Sequence, residues 1–91
     1  LYMKEIKKQK LTIDAVQTAI QDKHAISFQY YEYTLEKEKV LKHNGYRYRL
    51  NPYALLWNRD YYYVVSWSEK HAQFRVDRIT AIARAKGAYI E

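Results

Sequence analysis

From Asn51 to Trp67 the chain reads Asn-Pro-Tyr-Ala-Leu-Leu-Trp-Asn-Arg-Asp-Tyr-Tyr-Tyr-Val-Val-Ser-Trp, and Phe-Arg-Val-Asp-Arg-Ile follows at 74–79. The single proline of the chain, Pro52, is the sharpest constraint on its fold. It interrupts a strand-like pattern that runs from about Tyr46 to Trp57. A proline has no N–H to give to a ladder, so that strand must carry an edge, a bulge or a bend at Pro52. Asn58-Arg59 then closes a hairpin into a second strand over Asp60 to Trp67. Ser68 to Ala72 forms the next turn, Gln73 to Arg78 a short strand and Thr80 to Ala85 another, with Gly87 breaking the pattern near the end. Upstream, Ile26, Phe28 and Tyr30 share one parity and Ser27, Gln29 and Tyr31 the other, the alternation of a strand with two unlike faces. The charged stretch Thr34 to Asn44 reads as a loop or exposed ribbon, and Asn44-Gly45 is a tight-turn signal.

Only one helix is expected. Thr12 reads as its N-cap, Asp14 lies in the first turn, and Ile13, Val16 and Ile20 recur at helical spacing, ending near Asp22 to His24. The lead before it carries Lys4, Lys7, Lys8 and Lys10 around Ile6; it reads as a solvated linker, or as a basic arm that touches nucleic acid. With 91 residues there is room for one small domain with a thin core. The expected architecture is therefore mainly β: a five-stranded antiparallel barrel of the small, strongly bent Sm-like or SH3-like type, preceded by an N-terminal helix. Residues 1–24 form the linker and connector helix, and 25–91 the β domain.

Composition narrows the function. Eleven tyrosines exceed the needs of an ordinary core of this size, and most lie between Tyr30 and Tyr63. The net charge of +6, from 16 basic and 10 acidic residues, favours anionic partners at a distance without specifying one. No cysteine is present, which excludes disulfides and thiolate chemistry and fits the cytoplasm. No apolar run is long enough for a membrane span. The opening Leu1 in place of methionine suggests a piece of a longer protein. His24, His43 and His71 show no short ligand spacing, so no metal and no cofactor is expected. Asp60, Asp77, Glu69 and His71 are the only neighbouring groups that acid–base catalysis could recruit. They fall at turns and strand ends, and two glycines cannot build a phosphate loop. The chain does not read as an enzyme.

Aromatic surface beside guanidinium groups suits a ligand that is flat, anionic, or both. Arg75 and Arg78 are the candidate anion-binding pair, because a guanidinium fork matches phosphate geometry. Their alternative role is a salt bridge, for example to Asp77 or Asp60. Their parity differs, so a regular strand would place them on opposite faces unless a bulge intervenes. Tyr62 could stack on a base, and Tyr30 occupies a similar position on the first strand. Tyr61 and Tyr63, on the other parity, lean toward core or partner contact. Ser27 could offer a hydroxyl to phosphate, or be an ordinary strand serine. Arg47 and Arg49 flank Tyr48, a pattern that suits single-stranded nucleic acid as well as a solvated strand face.

Four segments in order, Ile26-Ser27-Phe28-Gln29-Tyr30, Asn51-Pro52-Tyr53-Ala54-Leu55, Asp60-Tyr61-Tyr62-Tyr63-Val64-Val65 and Phe74-Arg75-Val76-Asp77-Arg78-Ile79, resemble the WYL domain. That family is named for a Trp-Tyr-Leu triplet, which falls here on Tyr61, Tyr62 and Tyr63 with only the central residue identical. The Phe-Arg-x-Asp-Arg-Ile segment is the most specific part, and the resemblance runs from about Ile13 to Ala85. It implies an Sm-like or SH3-like barrel that follows a DNA-binding helix-turn-helix in bacterial transcription regulators and senses an effector, in some members single-stranded DNA or RNA. The expected ligand-binding set is Ser27, Tyr30, Arg47, Tyr62, Arg75 and Arg78. The expected partners are the N-terminal DNA-binding domain of the parent chain, a single-stranded nucleic acid or nucleotide-like effector, and a second copy in a homodimer. A module of a different class, one that dimerises its parent through the tyrosine-rich face and takes no ligand, accounts for the same composition.

Overall fold

A computed structural model describes residues 2–67, 72–87 and 89. Helix α1, Tyr2–Asp22, is followed by strands β1 Ile26–Tyr33, β2 Lys39–Leu41, β3 Tyr48–Leu50, β4 Pro52–Asn58, β5 Tyr61–Ser66, β6 Gln73–Arg75 and β7 Ile79–Arg84. Short 3-10 turns at Lys42–Gly45 and Val76–Arg78 separate β2 from β3 and β6 from β7. All pairings are antiparallel. Strand β1 pairs with β2, β3 and β7, and β4-β5-β6 form a second sheet.

This corrects the expectation of five strands closed into a barrel. The charged ribbon contributes β2, and Pro52 divides one expected strand into β3 and β4. The chain changes sheet at Asn51 and again in the 3-10 turn at Val76–Arg78, and among the described residues no ladder joins the two sheets. Strands that switch sheets at a bend are the usual corners of packed sheets. Pro52 is buried and opens β4 opposite Ser66, with a bulge before Ala54. The Gln73–Arg78 strand also stops early, at Arg75, where the second corner begins. Of the expected turn after Trp67, Ser68 to His71 lie outside the described residues, as does Leu1.

Thr12 is not an N-cap. The helix starts ten residues earlier, and Thr12, 4% exposed, donates its hydroxyl to the Lys8 carbonyl at 3.1 Å. That back-bond to the previous turn satisfies a buried hydroxyl inside a helix. The lysine-rich lead is thus helical, and Lys8 Nζ reaches to 5.3 Å from the Tyr31 ring centre, while Lys39 Nζ approaches the same ring at 4.2 Å. The other end closes as a Schellman motif: the His24 N–H donates to the Ala19 carbonyl at 3.0 Å and Lys23 takes φ 55. Glycine usually fills that left-handed position.

The core lies between the sheets and under the helix. Val16 and Ala19 from α1 join Ile26 and Phe28 from β1, Leu50, Val64, Ile79 and the corner residue Val76. Phe28 is fully buried. Its ring stacks on Tyr48 at 5.8 Å and meets Phe74 edge-on at 5.3 Å. Since β6 carries Phe74 and β1 carries Phe28, this contact ties the sheets together. Helix α1 packs on β4, β7 and the second corner.

Two backbone irregularities shape the surface. Arg59 and Asp60 form the β4–β5 hairpin turn with φ 51 and 73, one residue later than the expected Asn58-Arg59. In β7 the register against β1 shifts between Ser27 and Gln29, and Ala81 has φ 52. Ala81 therefore sits in a bulge with left-handed backbone, which glycine adopts without a Cβ penalty. Urea denaturation of Ala81→Gly is expected to show a gain of roughly 0.5–1 kcal/mol, and Phe28→Ala a loss of roughly 3–5 kcal/mol. An Ala81→Gly variant no more stable than the parent would contradict strain at the bulge.

Candidate anion and aromatic site

The residues singled out from the sequence fall in three places. Ser27 and Arg47 form one pair. Arg47 Nη2 donates to the Ser27 hydroxyl at 3.0 Å, to the Ser27 carbonyl at 3.2 Å and to the Ala81 carbonyl at 2.6 Å. The bulge turns the Ala81 carbonyl out of the ladder, and the Arg47 guanidinium supplies the donor it has lost. Here arginine and serine hold the segment just before β3 to β1 and β7. Arg49, the second arginine flanking Tyr48, donates from Nε to the Lys86 carbonyl at 3.3 Å.

Tyr62 lies elsewhere. It pairs in register with Trp57 near the tip of the β4–β5 hairpin, their rings 4.7 Å apart. Trp57 is 61% exposed. Strand alternation puts Tyr62 on the opposite face of β5 from Tyr61 and Tyr63. Tyr63 is the register partner of Arg75, so Tyr62 faces away from the Arg75 side.

The third place holds Tyr30, Arg75 and Arg78, and the structure adds Tyr61, Tyr33 and Asp77 to it. The Tyr30 hydroxyl accepts the Arg75 backbone N–H at 2.9 Å. The Arg75 side chain is gripped by Asp77 through two bonds, Nε to Oδ1 at 3.0 Å and Nη2 to Oδ2 at 2.7 Å, and its guanidinium lies 3.7 Å from the centre of the Tyr61 ring. Of the two roles open to Arg75, the salt bridge to Asp77 is therefore present, while Asp60 is in the hairpin turn. Asp77 raises the Arg75 pKa above its ordinary value. Arg78, carried round the corner by the 3-10 turn, stands 5.3 Å from the Tyr33 ring centre. Its Nε is buried without a hydrogen-bond partner among the described residues. A 3-10 turn, not a regular strand, lies between the two arginines, and the Tyr30 phenol feels the positive charge of Arg78 more than that of Arg75.

Behind these groups the rings are continuous. Tyr30, Tyr48 and Phe74 meet each other and Phe28 at centroid distances of 5.2–6.3 Å, and Tyr46 and His43 extend the row outward from Tyr48. Burial pushes the Tyr30 phenol above its ordinary value, against the pull of the Arg75 N–H and the Arg78 charge. Burial also raises Tyr48, helped by the negative charge of Glu32. Tyr61, expected in core or partner contact, and Tyr33 were not read as cation partners from the sequence, because a cation over a ring has no sequence period. The parity of β5 relative to β6 was the only available signal for Tyr61.

Among the described residues no group of three His, Cys, Asp or Glu side chains could hold a metal ion; Glu69 and His71 lie outside those residues. Among the described residues no helix is long and apolar enough to cross a membrane.

Comparison with known families gives a match to the WYL domain over residues 12–84, most of the chain. The chain belongs to the WYL domain family. The WYL domain is a non-catalytic regulatory domain of bacterial transcription regulators. The matched span takes in the second half of α1, both sheets and both corners. No curated protein matches the chain.

The raised phenol has a measurable consequence. A tyrosine whose folded pKa exceeds its unfolded value of 10 contributes stability that is complete below pH 10 and is lost as pH rises through the folded pKa. Urea midpoints taken between pH 9 and 11.5 are expected to fall less steeply in Tyr30→Phe than in the parent, with a loss of about 1 kcal/mol at neutral pH from the missing acceptor. Identical pH slopes would remove Tyr30 as a contributor.

Proposed function

We propose that this WYL domain is the effector-sensing part of a bacterial transcription regulator, and that its effector is an anion bearing a flat ring: single-stranded nucleic acid, or a nucleotide-like molecule. One observation carries the reading. Arg78 has a buried Nε with no hydrogen-bond partner among the described residues, beside Tyr30, Tyr33 and the Asp77-fixed Arg75. A buried unpaired donor on a charged group is costly, and a shift of the Arg78 side chain onto a bound phosphate would relieve it. Arg75 has two of its nitrogens committed to Asp77, so Arg78 is the anchor and Arg75 the stiff secondary contact. Rings such as Tyr33 and Tyr61 supply π faces on which a base stacks without regard to its identity. Of the six residues expected from the sequence, Tyr30, Arg75 and Arg78 stay in this proposal. Ser27 and Arg47 serve the bulge, and Tyr62 with Trp57 forms a separate exposed surface.

In such a regulator α1 would lead to the DNA-binding domain of the parent chain. Its Val16 and Ala19 share the core with Phe28, and Phe28 touches Tyr30. A ligand biases the parent only by binding its two states unequally, and this packed path gives it a mechanical route. The other reading, a ligand-free dimerisation module, draws on the exposed Trp57, Leu56 and Tyr62.

Fluorescence anisotropy of labelled single-stranded DNA and RNA separates the two. Saturable binding that persists at physiological salt is expected to weaken at least tenfold in Arg78→Ala and less in Arg75→Ala, with both variants folded. Affinity that vanishes with modest salt would reduce the interaction to nonspecific charge. Unchanged affinity in both variants would overturn the assignment, and a dimer lost in Trp57→Ala with no oligonucleotide bound would favour the dimerisation reading.

A further inference from the structure

At the far end of α1 the chain builds a second recess that the Arg78 site does not use. After β7 the backbone runs back to the helix terminus, where the Ala85 N–H donates to the Ala25 carbonyl at 2.9 Å. This leaves an open cavity of about 480 Å³ lined by Lys23, His24, Arg84, Ala85, Lys86 and Gly87. Three of the six lining residues carry a positive charge at neutral pH and none carries a negative one. A smaller recess of about 320 Å³ adjoins it, lined by Ala15, Thr18, Ile26, Ile82 and Ala83. The two share His24 and Arg84 as a common wall. One compartment is basic and the other mostly apolar.

Two backbone features support a built site. Lys23 stands in left-handed conformation, φ 55, at the helix position that glycine ordinarily fills. A lysine there costs about 1 kcal/mol against glycine, and it sets a positive charge at the cavity wall. Gly87, which also lines the cavity, has φ 108, and a Cβ at that position would approach Arg49 Nη2 to 3.0 Å. Gly87 is thus a backbone requirement twice over, for its positive φ and for the close packing of the Arg49 guanidinium against it. The helix end carries only about half a negative charge, far less than Lys23, Arg84 and Lys86 together. His24 Nδ1 lies 3.1 Å from the Ala25 carbonyl. With its proton on Nδ1 the ring shares that carbonyl with the Ala85 N–H and braces the turn that walls the recess.

We propose that this double recess binds a small phosphate monoester bearing an apolar or ring group. The phosphate lies among Lys23, Arg84 and Lys86, and the organic part enters between Thr18, Ile26 and Ile82. The combined volume is within the range of ordinary small-molecule sites. Because α1 forms one wall, occupancy fixes the helix terminus against the end of β7, independently of the Arg78 site.

The test is a heteronuclear NMR titration of the 91-residue chain with phenyl phosphate and, separately, with inorganic phosphate. Phenyl phosphate is expected to shift the amide resonances of Lys23, His24, Ala85 and Gly87 saturably and to bind at least tenfold more tightly than inorganic phosphate. Arg84→Ala is expected to weaken phenyl phosphate at least tenfold. Lys86→Ala, an exposed change that leaves the packing intact, gives the same direction should Arg84→Ala disturb the fold. Arg78→Ala is expected to leave this binding unchanged, which separates it from the site proposed above. No saturable shift at those amides, equal affinity for the two phosphates, or undiminished binding in Lys86→Ala would each overturn the proposal.

Discussion

The contact between Phe28 and Phe74 is the interaction on which the rest of the molecule depends. No ladder joins the two sheets among the described residues, so side chains must hold them face to face. Phe28 is the largest fully buried side chain in the core, and Phe74 comes from the other sheet to meet it. Tyr30 lies on the same face of β1 two residues on, so it stands at the outer edge of the same packed row. The candidate site is accordingly a continuation of the core, and its geometry is only as firm as the packing behind it. In a chain of this size a thin apolar interior is extended outward by tyrosines whose rings pack while their hydroxyls remain near water or a partner group.

Much of the fold was legible because simple periodicities govern it. Parity along Ile26, Phe28 and Tyr30 identified the buried face of β1, and Pro52 marked the place where a strand had to bend. Val16 and Ile20 at helical spacing located the packed half of α1. The parts that were not legible depend on partners distant in sequence. Thr12 has the chemistry of an N-cap, but here it bonds one turn back inside a longer helix, because lysines and apolar residues upstream continue the helical backbone. The count of strands changed because a charged ribbon can still pair with β1 when its backbone is free to do so.

The candidate site shows the same division. Arginines near aromatics were visible in the sequence, yet which ring meets which guanidinium depended on a 3-10 corner that no alternation predicts. That corner brings Arg78 to the side of Tyr30 and leaves Asp77 folded back on Arg75. Arg47 and Ser27 matched an anion site by residue type and proved to be bonded to each other and to a bulged carbonyl. A polar residue in a strand is as readily recruited to repair the backbone as to bind a ligand, and only the geometry distinguishes the two uses.

The Tyr30 hydroxyl that accepts the Arg75 N–H has an effect beyond the site. Strand β6 is the outer member of the β4-β5-β6 sheet, and the exposed donors of an outer strand are an invitation to a strand from another molecule. At Arg75 that donor is already taken by a phenol from the other sheet, and the adjoining backbone turns at once into a 3-10 corner. The edge is sealed by a side chain. At that strand a second copy therefore finds the Arg75 donor already taken, and extension of the sheet along β6 is blocked at its last residue.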